Sequence, residues 1–228
     1  MPPRFTKRNL VAENLEGDYV TLRELENEKT VFIHQAIPMY GERLSYFIAG
    51  PPGCGKSTTA AQILSFFPRQ PIYLFSDVDE DRAFDGLDIR RMKMEADLIT
   101  ELKPEMFAEK SDCWVVFDDI DKIRDSKVSK ALIALMDNII ANGRSHGGHT
   151  INVIATSHSL ADYRKTKYMI ENCEYWVVFP SKTINSQLKR LLSKMDLDKL
   201  DLKQHDRIFI HQSCPTFIVS DFFVSLLS

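Results

Sequence analysis

The chain has 228 residues, of which 44% are hydrophobic and 27% charged, and its formal net charge at pH 7 is -3. This balance excludes a disordered chain, and it excludes nucleic-acid binding through global positive charge, so any such contact must come from local basic patches. The length suits one α/β domain with a sizeable core. Four dispersed cysteines without a CxxC pair argue against a disulfide framework and a zinc ribbon, and they favour a reducing compartment.

The beginning of the chain differs from the rest. Residues 1–28 are polar and mixed in charge, which predicts a loosely held N-terminal arm, and residues 29–228 are predicted to form a single domain. The arm has no apolar run of signal-peptide length, and no stretch approaches the roughly 20 apolar residues of a membrane span. We therefore expect an intracellular protein without a membrane span.

Strands alternate with helices along this domain. Apolar runs predict strands, while helical spacing of apolar residues, stopped by glycine or proline, predicts helices. The pattern is typical of an α/β fold with a mostly parallel central sheet, helices on both faces and a C-terminal β-hairpin. The predicted strands are residues 46–49, 72–75, 114–117, 151–155 and 175–179, with an added strand at 30–37; the helices are 57–67, 128–142 and 186–195; the hairpin pairs 207–211 with 216–220.

A phosphate-binding loop follows the first of these strands. Residues 50–57 match the pattern G-x-x-x-x-G-K-[ST], directly after a predicted strand and at the start of a predicted helix. The glycines let backbone N–H groups face inward, where they and the positive helix end stabilise phosphate charge. Lys56 is predicted to reach the β- and γ-phosphates of ATP, and Ser57 to bind Mg²⁺. The predicted nucleotide-binding residues are Gly50, Pro51, Pro52, Gly53, Cys54, Gly55, Lys56, Ser57 and Thr58.

Two carboxylates end the strand at residues 114–117, in the Walker B form. The carboxyl ends of parallel strands are where an open α/β sheet binds ligands. Asp118 is predicted to hold the Mg²⁺, and Asp119 to orient and polarise the water that attacks the γ-phosphate. Asp121 is predicted to be a loop or cap residue.

Three polar residues follow the strand at residues 151–155. His158 is the first candidate for a sensor of the γ-phosphate or the attacking water, with Thr156 and Ser157 next; alternatively, His158 caps the following segment. A separate strand between the phosphate-loop strand and the Walker B strand marks the branch of P-loop NTPases with an additional catalytic acid. The fold class is therefore a RecA-like P-loop NTPase of the ASCE type.

Together these segments resemble the FtsK/HerA superfamily, and within it the viral genome-packaging ATPases of the poxvirus-like and giant-virus group. The order of the segments is more specific than either Walker motif alone. The matching segments are GPPGCGKST at 50–58, LFS at 74–76 with the following DVDEDRAFDGL, VVFDDID at 115–121, GRSHGGHT at 143–150, IATSHSL at 154–160, and the later CEYWVVFPSK and RIFIHQSCPTFIVSD.

The resemblance implies a motor that threads double-stranded DNA into a preformed capsid. It implies a homo-oligomeric ring, a pentamer or hexamer, and a partner at the viral capsid vertex. The implied location is the host cytoplasm, in a viral factory, and the virion.

Ring ATPases of this kind supply an arginine finger to the γ-phosphate of the adjacent subunit. Arg144 falls at the Gly-Arg of the family motif and is predicted to be that finger, with Arg82 as the rival. Alternatively, Arg144 is a surface arginine or a DNA contact. Three basic groups are candidates for sequence-blind DNA contacts, although each also fits a solvated helix face. They are Lys122, Arg124, Lys127 and Lys130, with Lys122 and Arg124 first; Arg164, Lys165 and Lys167; and Arg90, Arg91 and Lys93.

Three other functions compete with an ATP-driven DNA translocase. The spelling of the P-loop also suits an AAA+ type remodelling ATPase or helicase loader, whose helical lid the terminal hairpin disfavours. A small P-loop kinase is disfavoured because no arginine-rich acceptor lid is present. The last alternative is a structural adaptor that binds ATP and scarcely hydrolyses it.

Overall fold

The structure is a computed structural model. It describes residues 10–13, 19–22, 43–142, 148–160, 166–182, 185–193, 206–212, 217–220 and 224–226. The predicted strand at 30–37 and Arg144, Arg164 and Lys165 lie outside these residues. Among the helices in the described part of the chain, none is long and apolar enough to cross a bilayer.

A nine-stranded sheet forms the centre of the molecule, and β1 (Leu10–Glu13) and β2 (Tyr19–Leu22) form a separate antiparallel pair. The remaining strands, in chain order, are β3 (Ser45–Ala49), β4 (Ile72–Phe75), β5 (Ile89–Arg91), β6 (Cys113–Phe117), β7 (Ile151–Ser157), β8 (Tyr175–Val178), β9 (Ile208–His211), β10 (Phe217–Ser220) and β11 (Val224–Leu226). Their order in the sheet is β11-β10-β9-β8-β3-β7-β6-β4-β5.

Six neighbouring strands of this sheet, in the order β8-β3-β7-β6-β4-β5, are parallel to one another. The strands β9, β10 and β11 extend the sheet beyond β8 in antiparallel pairing. The predicted mostly parallel sheet and the predicted C-terminal hairpin, formed by β9 and β10, are confirmed. The strand β7 separates the phosphate-loop strand β3 from the Walker B strand β6, as expected for the ASCE branch.

Six helices lie in the described part of the chain, on both faces of the sheet. They are α1 (Lys56–Ser65), α2 (Ala96–Glu101), α3 (Pro104–Phe107), α4 (Ser126–Asn142), α5 (Lys167–Asn172) and α6 (Asn185–Ser193). Successive residues of a strand point to opposite faces. On β6, Val115 packs in the core beneath α2 to α6, whereas Trp114 and Val116 pack in the core beneath α1. The molecule is thus a three-layer α/β fold, and its two cores make the parallel strands apolar on both faces.

The predicted elements that fall within the described residues are present with boundaries shifted by a few residues, and the structure adds others. The helix α1 ends at Ser65 instead of 67, and β7 continues through Ser157, so Thr156 and Ser157 belong to the strand rather than to the loop after it. The prediction does not include seven short elements of three to six residues, which are β1, β2, β5, β11, α2, α3 and α5. Elements this short carry too few residues for a clear hydrophobic period.

Candidate active site

The loop between β3 and α1 has a backbone that only glycine adopts without strain at two positions. Gly53 and Gly55 have φ angles of 73° and 103°. At Gly50, a Cβ atom would lie 2.7 Å from Cys54 Sγ and 2.9 Å from Phe179 Cδ2, so the entry to the loop has no room for a side chain. The N–H of Gly50 donates to the carbonyl of Ser157 at 3.1 Å, which ties the loop to the end of β7.

The loop leads directly into α1, whose first N–H groups have no acceptor within the helix. Lys56 is only 6% exposed, whereas Ser57 is half-buried and Thr58 is exposed. Of the other predicted nucleotide-binding residues, Pro51 and Cys54 are half-buried and Pro52 is exposed. A glycine-rich loop that leads into a helix N-terminus, together with a buried lysine, has the donors and charge that bind a polyphosphate.

Asp118 is buried at the end of β6 and accepts a hydrogen bond at each carboxylate oxygen. Thr156 Oγ1 donates to Oδ1 at 2.8 Å, and Ser76 Oγ donates to Oδ2 at 3.1 Å. Burial raises the pKa of Asp118 above its ordinary value, the two hydrogen bonds oppose that rise, and the neighbouring Asp119 adds to it. A buried carboxylate of this kind has a strong preference for a nearby cation.

Asp119 connects the phosphate loop with β7. Its Oδ1 lies 3.4 Å from Lys56 Nζ, and its Oδ2 lies 2.8 Å from His158 Nε2. The residue has φ 44° and ψ 44°, and it is the single non-glycine residue with positive φ among the described residues. Strain of this kind is concentrated at functional sites, and here it turns the carboxylate between a lysine and a histidine.

The end of β7 is held by Asp121, whose Oδ1 accepts the N–H of His158 at 2.9 Å. The imidazole of His158 is about one-fifth exposed, and its Nδ1 is buried without a hydrogen-bond partner among the described residues. His158 is thus placed beside the two carboxylates by both its backbone and its side chain.

A cleft of about 430 Å³ opens at this edge of the sheet and contains the Walker B pair. It is lined by Ser76, Asp77, Val78, Asp118, Asp119, Lys122, Arg124 and His158. The two basic residues predicted first as DNA contacts, Lys122 and Arg124, are therefore in the same cleft as the acidic pair. The rival finger Arg82 is exposed in a short 3₁₀ helix, Arg82–Phe84, that packs against α1. Arg144 itself lies outside the described residues.

Sequence reasoning missed two members of this site. Ser76 binds Asp118, but the sequence shows it only as part of the matching segment at 74–76. Asp121 holds His158, but the sequence predicts it to be a loop or cap residue. Ser76 directly follows the predicted strand 72–75, and Asp121 lies four residues after the predicted strand 114–117, so strand ends are the available signal. Which strand ends are neighbours depends on the order of the strands in the sheet, and the pattern of apolar residues along the chain does not reveal that order.

Comparison with known proteins identifies the domain that carries this site. A family model described as AAA domain (dynein-related subfamily) matches residues 45–173, more than half of the chain. The uncharacterized protein V3 of Sputnik virophage is 27% identical over 199 residues, which cover 82% of this chain and 78% of that protein. The family match ends at Cys173, before β8.

Solved structures share the fold at low sequence identity. The pCW3 conjugation coupling protein TcpA, in monomer form with ATPgS, has a TM-score of 0.54 and 14% identity over 92% of this chain; the chain spans 64% of the length of that protein. The genome packaging NTPase B204 from Sulfolobus turreted icosahedral virus 2, in complex with sulfate, has a TM-score of 0.50 and 9% identity, covering 79% of this chain and 96% of that one. The resemblance to FtsK/HerA-type proteins and viral packaging ATPases is thus confirmed as a shared fold.

Proposed function

We propose that this chain, which belongs to the AAA domain family in its dynein-related subfamily, is an ATP-driven DNA translocase that packages a viral double-stranded DNA genome into the capsid. The observation that carries the proposal is the convergence of Lys56, Asp119 and His158 at one edge of the sheet, beside the buried Asp118. Phosphoryl transfer to water requires a positively charged group that binds the phosphates, a carboxylate that binds the metal ion and a second carboxylate that orients the water.

The residues present fit Mg-ATP. When bound, it supplies the γ-phosphoryl electrophile and a cation that shares the phosphate charge. Residues 50–58 would hold the phosphates, Lys56 would bind the β- and γ-phosphates, and Ser57 and Asp118 would hold Mg²⁺. The buried ammonium of Lys56 lies 3.4 Å from the partly exposed carboxylate of Asp119, and a buried cation of this kind is suited to a more highly charged partner.

Asp119 acts in this proposal as the base that orients and polarises the attacking water. Its carboxylate is anchored by His158 Nε2 at 2.8 Å, which fixes the direction of its lone pairs. His158 acts as the sensor, because a change at Asp119 reaches β7 through this contact. Arg144 of an adjacent copy supplies the arginine finger, and Arg82 is the alternative for that role.

The motor function rests on the shared fold and on the basic residues of the cleft. The packaging NTPase and the coupling protein with the same fold are, by their names, proteins of genome packaging and conjugation. We propose that this chain likewise acts on double-stranded DNA, in a homo-oligomeric ring, a pentamer or hexamer, at the capsid vertex. The location follows as the viral factory of the host cytoplasm and the virion. Lys122 and Arg124 are proposed to contact the DNA phosphates.

One observation favours a second function. The matching family consists of AAA domains, so an AAA+ type remodelling ATPase or helicase loader is the alternative. The antiparallel extension of the sheet by β9 to β11 favours the translocase, because the AAA+ fold adds a helical lid after the fifth strand instead.

The test is the rate of ATP hydrolysis with and without double-stranded DNA, combined with a measurement of particle size in the presence of nucleotide. We expect a DNA-stimulated rate and a ring-sized assembly, and Lys56→Ala should abolish hydrolysis. A rate unaffected by DNA would favour the remodelling ATPase. A protein that binds ATP without turnover would instead be an adaptor.

The cleft cations give a second prediction. The double variant Lys122→Ala, Arg124→Ala should lose most of the stimulation of ATP hydrolysis by DNA. It should also make the plot of log K for DNA binding against log salt concentration less steep by about one to two, because one or two phosphate contacts are lost. The matched control is Lys127→Ala, Lys130→Ala, which removes two exposed cations of α4 that do not line the cleft. Equal losses in both variants would show a general charge effect and remove the cleft from the DNA path.

A further inference from the structure

Three residues at the ends of neighbouring strands form a row across the sheet. In the parallel register, Phe75 pairs with Phe117, and Phe117 pairs with Ala155. The next residue on each strand is Ser76, Asp118 and Thr156, so these three are side by side. Alternation places Asp118 on the same face as Val116, which packs in the core beneath α1, the helix that begins at Lys56.

Each of the two hydroxyls in this row accepts a hydrogen bond from a backbone N–H and donates one to the Asp118 carboxylate. Thr156 Oγ1 accepts the N–H of Asp119 at 2.7 Å and donates to Asp118 Oδ1 at 2.8 Å. Ser76 Oγ accepts the N–H of Val78 at 3.2 Å and donates to Asp118 Oδ2 at 3.1 Å. A hydroxyl has one proton, so accepting from an N–H fixes its orientation toward the carboxylate.

Thr156 is fully buried and contacts both acids of the Walker B pair. Its hydroxyl also lies 3.3 Å from Asp119 Oδ1, but its proton is committed to the shorter bond with Asp118. By accepting the Asp119 N–H, it also stabilises the left-handed turn that aims the Asp119 side chain.

We infer that Thr156 and Ser76 are positioning residues that hold the Asp118 carboxylate from both sides in the orientation that binds the metal ion of the nucleotide, and that Thr156 also sets the backbone of Asp119. The inference rests on the proposed function, because it assigns Asp118 to the metal. Partners of this kind fix the direction of a ligand's lone pairs, and their loss typically costs 10- to 100-fold in metal affinity or activity.

The test compares Thr156→Val, which has the same shape without a hydroxyl, with Thr156→Ser, which keeps it. The first readout is the affinity of Mn²⁺ in the presence of a non-hydrolysable ATP analogue, measured by electron paramagnetic resonance. We expect about a 10-fold weaker affinity for Thr156→Val and recovery to within a few-fold in Thr156→Ser. The second readout is binding of the same analogue in EDTA, which should be unchanged because the phosphate loop is intact.

Ser76→Ala gives an independent measurement in case Thr156→Val fails to fold. It should weaken Mn²⁺ binding without affecting the metal-free affinity, and it should lower kcat less than Thr156→Val, because among the described residues Ser76 is hydrogen-bonded to Asp118 and Val78 and not to Asp119. Thr100→Val, on the exposed face of α2, is the control for loss of a threonine hydroxyl and should match the wild type.

The outcomes distinguish a failure of the positioning roles from a failure of the proposed function. Wild-type Mn²⁺ affinity in both Thr156→Val and Ser76→Ala, with a large loss in Asp118→Ala, would overturn the positioning roles and leave the proposed function standing. Wild-type affinity in Asp118→Ala would remove the metal from this carboxylate and overturn both. Equal losses in Thr156→Val and Thr156→Ser would show that the shape of threonine matters and its hydroxyl does not, which also contradicts the inference.

Discussion

Asp119 combines a left-handed backbone with contacts to a lysine and a histidine, and both properties restrict what can replace it. Asparagine has the same size and tolerates positive φ better than most residues. Asp119→Asn should therefore keep the fold and bind ATP, yet it cannot accept a proton from water. We expect kcat to fall by about 10²- to 10³-fold with little change in nucleotide affinity, measured by steady-state hydrolysis and by direct binding.

The companion variant Asp119→Ala separates chemistry from strain. It removes the carboxylate and also leaves alanine at φ 44°, which costs about 1 to 2 kcal/mol of stability. Urea unfolding should show that loss for Asp119→Ala and a smaller one for Asp119→Asn. Undiminished turnover in Asp119→Asn would exclude it as the base.

Single residues of this site could be predicted from the sequence where their chemistry depends on local order. Gly53 and Gly55 have the positive φ angles that the phosphate-loop pattern requires, and Lys56 follows from the same eight residues. Contacts across strands could not be predicted in this way. The pairing of Ser76 with Asp118 joins positions 42 residues apart, and it exists only because β4 and β6 are neighbours.

On the scale of elements, α4 contains a carboxylate in an unfavourable environment. Asp137 lies on a partly buried face of the helix, where its Oδ1 is buried without a hydrogen-bond partner among the described residues. Tyr168 of α5 binds the Asp137 carbonyl at 3.1 Å and holds α5 against this face. Burial raises the pKa of Asp137 to about 6 from an ordinary value of 3.8.

This raised pKa gives a prediction for stability against pH. The folded state holds the proton more tightly than the unfolded chain, so the stabilising contribution is complete below about pH 4 and is lost as the pH rises through about 6. Asp137→Asn should be more stable than the wild type at pH 8 by up to about 1 kcal/mol, a small figure because the group is partly exposed. The difference should decline toward zero as the pH approaches 4.

Urea unfolding at pH 8, 6 and 5 measures this difference, with Asp88→Asn, an exposed carboxylate, as the control. A stability difference for Asp137→Asn that is independent of pH would contradict the prediction. The helix α4 itself was predictable, because apolar residues recur with helical spacing from Val128 to Ile139. The burial of Asp137 was not, because it depends on the later α5 packing over the helix.

At the scale of the whole molecule, the parallel strands bring distant segments to one edge. Lys56, Asp119 and His158 come from three separate segments, and the order β3-β7-β6 places them together. The alternation of apolar strands and helices was sufficient to predict a three-layer fold. The N-terminal boundary at residue 28 remains a prediction, since most of residues 1–42 lie outside the described part.

Assembly gives the last prediction, because an arginine finger acts between copies. Arg144→Ala and Lys56→Ala should each be inactive alone. In an equal mixture, some interfaces join the intact Lys56 of one variant to the intact Arg144 of the other. If subunits exchange and interfaces act independently, about a quarter of the interfaces and of the wild-type rate should return. The measurement is ATP hydrolysis after mixing, in the presence of double-stranded DNA.

The control for this mixing is Arg144→Ala combined with the double variant Lys56→Ala, Arg144→Ala, which offers no complete interface and should stay inactive. Recovery in that control would mean that Arg144 is not needed. Absence of recovery in the first mixture, with exchange verified by labelled subunits, would contradict a finger acting in trans. In that case the same experiment with Arg82→Ala decides whether the exposed arginine beside α1 supplies the charge, because a trans cation at either position must complement Lys56→Ala.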